Sequence, residues 1–393
     1  MSDGGTSRLH VLQSVRPFEY AGGSGQCDET TALPACIAVT GAGGFIGGRL
    51  AELLSKQPAV EELRAFTRRP NRKTSSRVLR LDDEGEVRRA LIGCGAVVHC
   101  AFNMYDMASN LRIARAIGSA CAAARIRMVH ISTAAVYEPM TDGDVDERHP
   151  IQKTDPYRAV KADIEEELRK LSQDQGLDVV ILQPTVVYGP GGRAWTDSPV
   201  RDLLVGSVVL PNNGNGLCNA VFIDDVCQAA IKALTAVVPT GERFLISGPA
   251  PVKWREFFGF YSSMIGGRGL VLEPPSPTLD AIISQGMAAP MRNGLVATLT
   301  AALLSRMSAN ARSTLNMIVR RLRASVNRDV KRSLSGAQLA LYSSSCNVRI
   351  EKARNLLGYS PEFDLKHGML RTISYVQRTY ARQIARRERD SRA

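Results

Sequence analysis

The 393-residue chain is short of several things, and each shortage excludes a class of protein. No apolar run approaches the roughly 20 residues that a membrane-spanning helix needs. The uncharged stretch between Arg292 and Arg306 falls well below it. The N-terminus has no apolar signal core, since Asp3, Arg8, Arg16 and Glu19 break it up. The eight cysteines (Cys27, Cys36, Cys94, Cys100, Cys121, Cys218, Cys227 and Cys346) show no C-x-x-C or zinc-ligand spacing. Several sit in apolar runs, so reduced thiols and a cytoplasmic location are expected, and no metal site. With 44% hydrophobic and 22% charged residues, the composition is neither that of a disordered chain nor that of a collagen. A chain of this length holds two or three folding units with a substantial core.

Acidic residues are also in deficit, and the formal charge is +12. The excess is local. Residues 276–335 hold nine Lys/Arg against two acids, and residues 376–393 hold six Arg against two acids. The rest is close to neutral, which argues against nucleic-acid binding, because that function needs a basic stripe on the folded body. Within 294–332, Leu295, Leu299, Ala302 and Leu303 keep helical spacing, as do Leu315, Ile318, Leu322 and Val326. This basic helical stretch and the basic C-terminal tail are expected to meet an anionic membrane surface or an acidic partner.

Residues 1–33 are rich in Gly, Ser and Thr without periodicity and read as a tail. From there strands alternate with helices. Strand-like runs lie at Cys36 to Thr40, Leu63 to Thr67, Ala96 to Ala101, Met128 to Ser132 and Val179 to Gln183, with helical spacing notably over 108–124 and 158–174. That alternation predicts a parallel sheet with helices on both faces.

Thr40-Gly41-Ala42-Gly43-Gly44-Phe45-Ile46-Gly47 joins the first strand to the first helix, and Gly41, Gly44 and Gly47 are spaced G-x-x-G-x-x-G. Glycines in such a turn serve a dinucleotide: one makes the tight turn, one admits the pyrophosphate, one lets helix and strand pack closely. The helix N-terminus then faces the phosphates. The second strand ends at Phe66-Thr67-Arg68, with no acid for a free ribose hydroxyl. Arg68 suits a 2′-phosphate, which favours NADP(H) over NAD(H).

Tyr157 and Lys161 stand four apart in a helical stretch and so share a face. The lysine charge is expected to lower the phenol pKa from about 10 and make tyrosinate a general base. Ser132-Thr133, at a strand end about 25 positions earlier, offers a hydroxyl to hold a substrate oxygen.

These residues, together with Ile131-Ser132-Thr133-Ala134-Ala135-Val136-Tyr137, Gln183-Pro184-Thr185-Val186-Val187-Tyr188-Gly189-Pro190, Phe222-Ile223-Asp224-Asp225-Val226 and Lys352 to Tyr359, occur in one order. They resemble the extended short-chain dehydrogenase/reductase family, in its nucleotide-sugar epimerase/dehydratase branch, over about residues 35–275 and 345–378. The resemblance implies an NAD(P)-dependent enzyme with Thr133, Tyr157 and Lys161 catalytic and Asn110 supporting the lysine through water. It also implies cofactor contacts at Gly41, Gly44, Phe45, Ile46, Gly47, Ala101, Leu81 and Pro184, besides Arg68, Tyr157 and Lys161, and a homodimer. The family's acid before Leu81 is Arg80 here, and its arginine before Pro184 is Gln183. Dehydrating relatives carry an acid pair after the threonine, where this chain has Ala134-Ala135. Hydride transfer at a secondary alcohol or ketone remains, on a nucleotide sugar or, alternatively, on a steroid-like or flavonoid-like ketone. A non-catalytic cofactor sensor on the same fold is the rival outside enzymes.

The expected architecture is α/β, a Rossmann-type doubly wound parallel sheet with a smaller mixed C-terminal substrate-binding part and a basic helical insertion. Its divisions are a tail at 1–33, a dinucleotide-binding domain at 34–185 with 220–248 returning to it, a substrate-binding part at 186–219 and 249–375 that contains the insertion 276–335, and a basic tail at 376–393. His99 and His130 read as core histidines, Asp224-Asp225 as caps of the following helix, and Glu165-Glu166-Glu167 with Arg169-Lys170 as a solvated helix face. Trp195 suits either packing or stacking on a substrate.

Overall fold

A computed structural model describes residues 32–68, 76–274 and 334–390. Except for residues 32–33 and 334–335, the expected tail 1–33 and the insertion 276–335 lie outside the described residues.

Seven strands form the main sheet: β1 (Cys36–Thr40), β2 (Glu62–Thr67), β3 (Arg77–Val78), β4 (Ala96–His99), β5 (Arg127–Ile131), β6 (Val179–Pro184) and β7 (Glu242–Ile246). Their order is β7-β6-β5-β4-β1-β2-β3 and every neighbouring pair is parallel. The order reverses between β1 and β4, and this crevice at the carboxyl ends of the strands is where doubly wound sheets bind ligands.

Ten α-helices are described: α1 (Phe45–Leu54), α2 (Glu84–Leu91), α3 (Met107–Ala124), α4 (Pro156–Gln175), α5 (Ser198–Val205), α6 (Ile223–Ala233), α7 (Trp254–Met264), α8 (Gly336–Ser343), α9 (Glu351–Leu357) and α10 (Leu365–Asp390). Alternation along β1 explains the layering. Ile37 and Val39 join a core with Leu50 and Leu54 of α1 and Val226 and Ala230 of α6. Cys36 and Ala38 point the other way, into a core with Val87 of α2, Ile117 of α3 and Leu168 of α4. Side chains on a strand alternate between faces, so a fully apolar run requires cover on both.

Local chemistry sets the helix that matters most. Asp155 caps α4, its carboxylate accepting from the N–H groups of Tyr157 at 2.8 Å and Arg158 at 3.1 Å. Pro156 occupies the first turn, where its missing N–H costs nothing. Gly176 ends the helix in the left-handed conformation at φ 68°.

The C-terminal part adds short strand pairs and α7, whose Trp254, Phe257 and Tyr261 are buried. Residues 376–390, expected as a tail, continue α10. Val376 and Tyr380 are buried there, Tyr375 Oη donates to Asp197 Oδ1 at 2.9 Å, and Arg387 donates to the Leu203 carbonyl. A helix with an apolar stripe folds onto the body, and its arginines line the remaining faces. Among the described residues, no helix is long and apolar enough to cross a membrane. The seven described cysteines are free thiols.

Candidate active site

The glycine turn is built by close approach of backbone. Gly41 has φ +71°, and a Cβ on it would lie 2.7 Å from the Ala101 nitrogen. On Gly47 a Cβ would lie 2.4 Å from the Gly41 carbonyl oxygen. The loops after β1 and β4 therefore touch at the crevice. Gly44 is the extended N-cap of α1, without a side-chain cap and with no acid in the first turn. The first amides of α1, at Phe45, Ile46 and Gly47, thus form an uncapped helix N-terminus suited to an anion. This geometry fits a dinucleotide pyrophosphate.

Arg68 is exposed at the end of β2. Leu81 is buried in the same core as Phe66, and Asp83 caps α2 by accepting from Glu86 N at 2.9 Å. Ala101 N–H donates to Thr40 Oγ1 at 3.4 Å, and Pro184 closes β6 as a buried residue beside Ile246.

Thr133 and Tyr157 come together where β5 ends and α4 begins. A hydrogen bond with Thr133 lowers the phenol pKa, but burial outweighs it and the net direction is upward. The expected downward tuning by Lys161 is not what the structure shows. The Lys161 ammonium donates to the Ile131 carbonyl at 3.0 Å and lies 4.4 Å above the Phe102 ring, whose edge meets Tyr157 at 5.5 Å between centroids. Burial lowers the Lys161 pKa to about 8, opposed by the charge of Glu165. A half-buried phenol held in its neutral form is a proton donor through neutral pH.

Asn110 is held by the backbone around it. Its Oδ1 accepts from Asn103 N–H at 2.7 Å and its Nδ2 donates to the carbonyls of Asn103, Asp106 and Met107 at 3.0–3.2 Å. It pins the loop after β4.

Two expectations are corrected. Glu165 is not on a solvated face; it is fully buried. Its carboxylate accepts from Ser132 Oγ, from Gln183 Nε2 at 3.0 Å to both oxygens, and from Arg243 Nε at 2.7 Å. The available signal was its place one turn beyond Lys161, on the same helix face. Neither Asp224 nor Asp225 caps α6, because that helix already starts at Ile223. Asp224 instead pairs with Arg49 at 2.7–2.8 Å, and Asp225 accepts from the N–H groups of Glu362 and Phe363.

His99 and His130 are buried and stack at 5.2 Å, and the His99 ring shares a 2.7 Å hydrogen bond with Thr40. Burial pushes both pKa values down, that of His99 to about 3. Trp195 packs against Trp254 and Phe257 at 5.5 and 6.4 Å. Among the described residues no group of three or more His, Cys, Asp or Glu could hold a metal.

A glycine turn at the switch point of a doubly wound sheet, with Thr133, Tyr157 and Lys161 gathered beside the end of β5, is the architecture of a dinucleotide-binding protein. Residues 37–247 match the NAD dependent epimerase/dehydratase family, and the chain belongs to it. Among its relatives is 3beta-hydroxysteroid-dehydrogenase/decarboxylase isoform 2 of Arabidopsis thaliana, 25% identical over 334 residues, which cover 80% of this chain and 54% of that protein. The chain thus spans about half the length of that relative. The 2-alkyl-3-oxoalkanoate reductase of Stenotrophomonas maltophilia is 27% identical over 264 residues, 58% of this chain and 76% of that one. In fold the chain is similar to UDP-N-acetylglucosamine 4-epimerase from Bacillus cereus (TM-score 0.61, 17% identity, 88% of this chain and 99% of that chain). It is also similar to dTDP-glucose 4,6-dehydratase from Streptomyces venezuelae (TM-score 0.62, 21% identity, 88% of this chain and 98% of that chain).

Proposed function

We propose that the protein is an NAD(P)-dependent enzyme that transfers a hydride at a secondary alcohol or ketone. The observation that carries this reading is the contact of Thr133 with a half-buried, neutral Tyr157 phenol, one turn from a buried Lys161 and without an acid in the Ala134-Ala135 positions that follow Thr133. A nicotinamide dinucleotide bound at the glycine turn supplies or accepts the hydride. Thr133 Oγ1 holds the substrate oxygen. Tyr157 Oη gives its proton to a carbonyl being reduced and is left as the phenolate; in the oxidative direction that phenolate takes the proton from the hydroxyl. Lys161, held by the Ile131 carbonyl, supplies positive charge beneath the site.

Two substrate classes have separate support. A nucleotide sugar suits the fold, which the chain shares with epimerases and dehydratases of such sugars. A hydrophobic ketone, steroid-like or β-keto, suits two of the relatives in sequence, a steroid dehydrogenase/decarboxylase and an oxoalkanoate reductase. The neutral phenol, ready to donate, and Arg68 at the end of β2, suited to a 2′-phosphate, add weight to NADPH-dependent reduction. The reading further includes a cytoplasmic homodimer. Its exposed Arg378, Arg382 and Arg389 on α10, together with 294–332, meet an anionic membrane surface or an acidic partner.

The test assays the purified protein with NADPH and NADH against UDP- and GDP-sugars and hydrophobic ketones, beside Tyr157→Phe. Turnover is expected to fall by 10²-fold or more in the variant, in the range general acid–base groups contribute, while cofactor binding stays. Full turnover in Tyr157→Phe overturns the mechanism, and cofactor binding without turnover on any substrate favours the non-catalytic sensor.

A further inference from the structure

The buried carboxylate of Glu165 lies outside the Thr133, Tyr157 and Lys161 set, yet it touches every element that carries those residues. It belongs to α4, one turn after Lys161, and is 0% exposed. Ser132, the residue before Thr133, donates its hydroxyl to Oε1. Gln183 of β6 donates to both oxygens at 3.0 Å, and Arg243 of β7 donates to Oε2 at 2.7 Å. Through Gln183 the connection reaches one residue further: Tyr137 Oη donates to Gln183 Oε1 at 2.9 Å. Tyr137 closes the short 3-10 turn Ala134–Tyr137 that begins at Thr133. The residues immediately before and after the active-site threonine and its turn are thus tied to one carboxylate on the helix that carries the tyrosine and lysine.

We infer that Glu165 is a positioning residue for the reaction: by clamping α4 to the ends of β5, β6 and β7, it sets the distance between Thr133 and Tyr157 and holds Lys161 in place. The inference deepens the hydride-transfer reading and rests on it for its consequence in turnover. A misplacement of about 1 Å costs a catalytic constellation roughly 10²-fold, so such a clamp has a large effect on rate without touching substrate.

The clamp has an electrical consequence that a packing role alone lacks. Lys161 is 5% exposed and is faced by Cys100 and His99 from the end of β4, by His130 from β5 and by Glu165 from its own helix, with Tyr157 one turn before it on α4. Burial holds both histidines neutral and the Cys100 thiol protonated at neutral pH. Glu165 is therefore the anion that opposes the desolvation of the Lys161 ammonium. Arg243, 17% exposed in its side chain, pairs with that anion and partly neutralises it. Removing Glu165's charge must destabilise the ammonium, and removing Arg243's must stabilise it.

The experiment titrates Lys161 directly in the full-length protein by NMR of 13Cε-labelled lysine, with Lys161→Arg to assign the signal. The wild-type midpoint is expected near pH 8. Glu165→Gln keeps an acceptor for Ser132 but loses the charge, and its midpoint is expected to fall by about one pH unit or more, as for loss of an opposite charge within a few ångströms. Arg243→Gln is expected to move it up, and it carries the test alone if Glu165→Gln fails to fold. A midpoint that stays at the wild-type value in a folded variant overturns the inference. On a substrate found by the panel above, kcat should fall in Glu165→Gln and the high-pH limb of its profile should move down with the lysine midpoint; an unchanged kcat overturns the positioning role. The titration needs no substrate, so a shifted midpoint in a protein with no turnover refutes the hydride-transfer reading and not the electrostatic link.

Discussion

The glycine turn allows a paired experiment in which two neighbouring positions give opposite outcomes. In Gly47→Ala, the new Cβ would stand 2.4 Å from the Gly41 oxygen, 2.8 Å from its carbonyl carbon and 3.2 Å from the Ala42 nitrogen. These are backbone atoms, and Gly41 is itself held against Ala101. Relief requires α1 to move away from the turn by about 1 Å, judged against ordinary carbon contacts of 3.5–4.0 Å. Overpacking of this kind costs about 1–3 kcal/mol, less the roughly 0.5–1 kcal/mol that alanine regains in a helix. In Gly43→Ala the nearest atom is Thr67 Cγ2 at 3.4 Å, an ordinary van der Waals contact. The Gly47 variant is expected to bind NAD(P)H at least tenfold more weakly, a loss of about 1.4 kcal/mol, and to melt at a lower temperature. The Gly43 variant should match the wild type within a few-fold. Nicotinamide fluorescence titration and thermal denaturation read both. The reasoning is refuted if the two variants bind alike, or if Gly47→Ala binds as the wild type does.

Asp225 provides a pH test. Burial pushes its carboxyl up to about 7 against the pull of two backbone N–H donors. The folded chain then keeps a proton that the unfolded chain gives up near pH 4, so this group's contribution to stability is full below about pH 4 and declines as the pH rises through about 7. Denaturant melts at pH 5 and pH 8 should show a smaller pH difference for Asp225→Asn than for the wild type; an equal difference refutes the assignment. On α10, replacing the exposed Arg378, Arg382 and Arg389 with Glu is expected to weaken binding to vesicles containing phosphatidylserine and leave the melting temperature within a few degrees. Intact protein that ignores such vesicles refutes the membrane reading of that face.

Much of the fold was legible because its signals are local. Cys36 to Thr40 is apolar at every position but the last, which requires cover on both faces, and Gly41 and Gly47 in the turn that follows leave no room for a side chain. Asp155 and Pro156 announce the start of α4, and Gly176 its end. The boundary expected at 376 was less legible, since the arginines that suggested a tail share a helix with Val376 and Tyr380, and a charge count is blind to that stripe. Asp224 and Asp225 were read as caps because the sequence does not mark a helix start to within one or two residues.

The motifs by themselves determined the family, and they marked the glycine turn and the Thr133, Tyr157 and Lys161 set as the candidate site, because such patterns lie within short chain segments. What only the tertiary structure decided is their electrostatic state. In the sequence Glu165 is one of three consecutive acids with basic neighbours, and only its place one turn beyond Lys161 sets it apart from a solvated run. Its partner Arg243 lies 78 residues away, on a strand that joins the sheet beside β6. The Tyr157 phenol, expected to be drawn down by a lysine four residues on, is instead raised by burial. Desolvation depends on everything packed around a group, and most of what surrounds these side chains comes from distant parts of the chain.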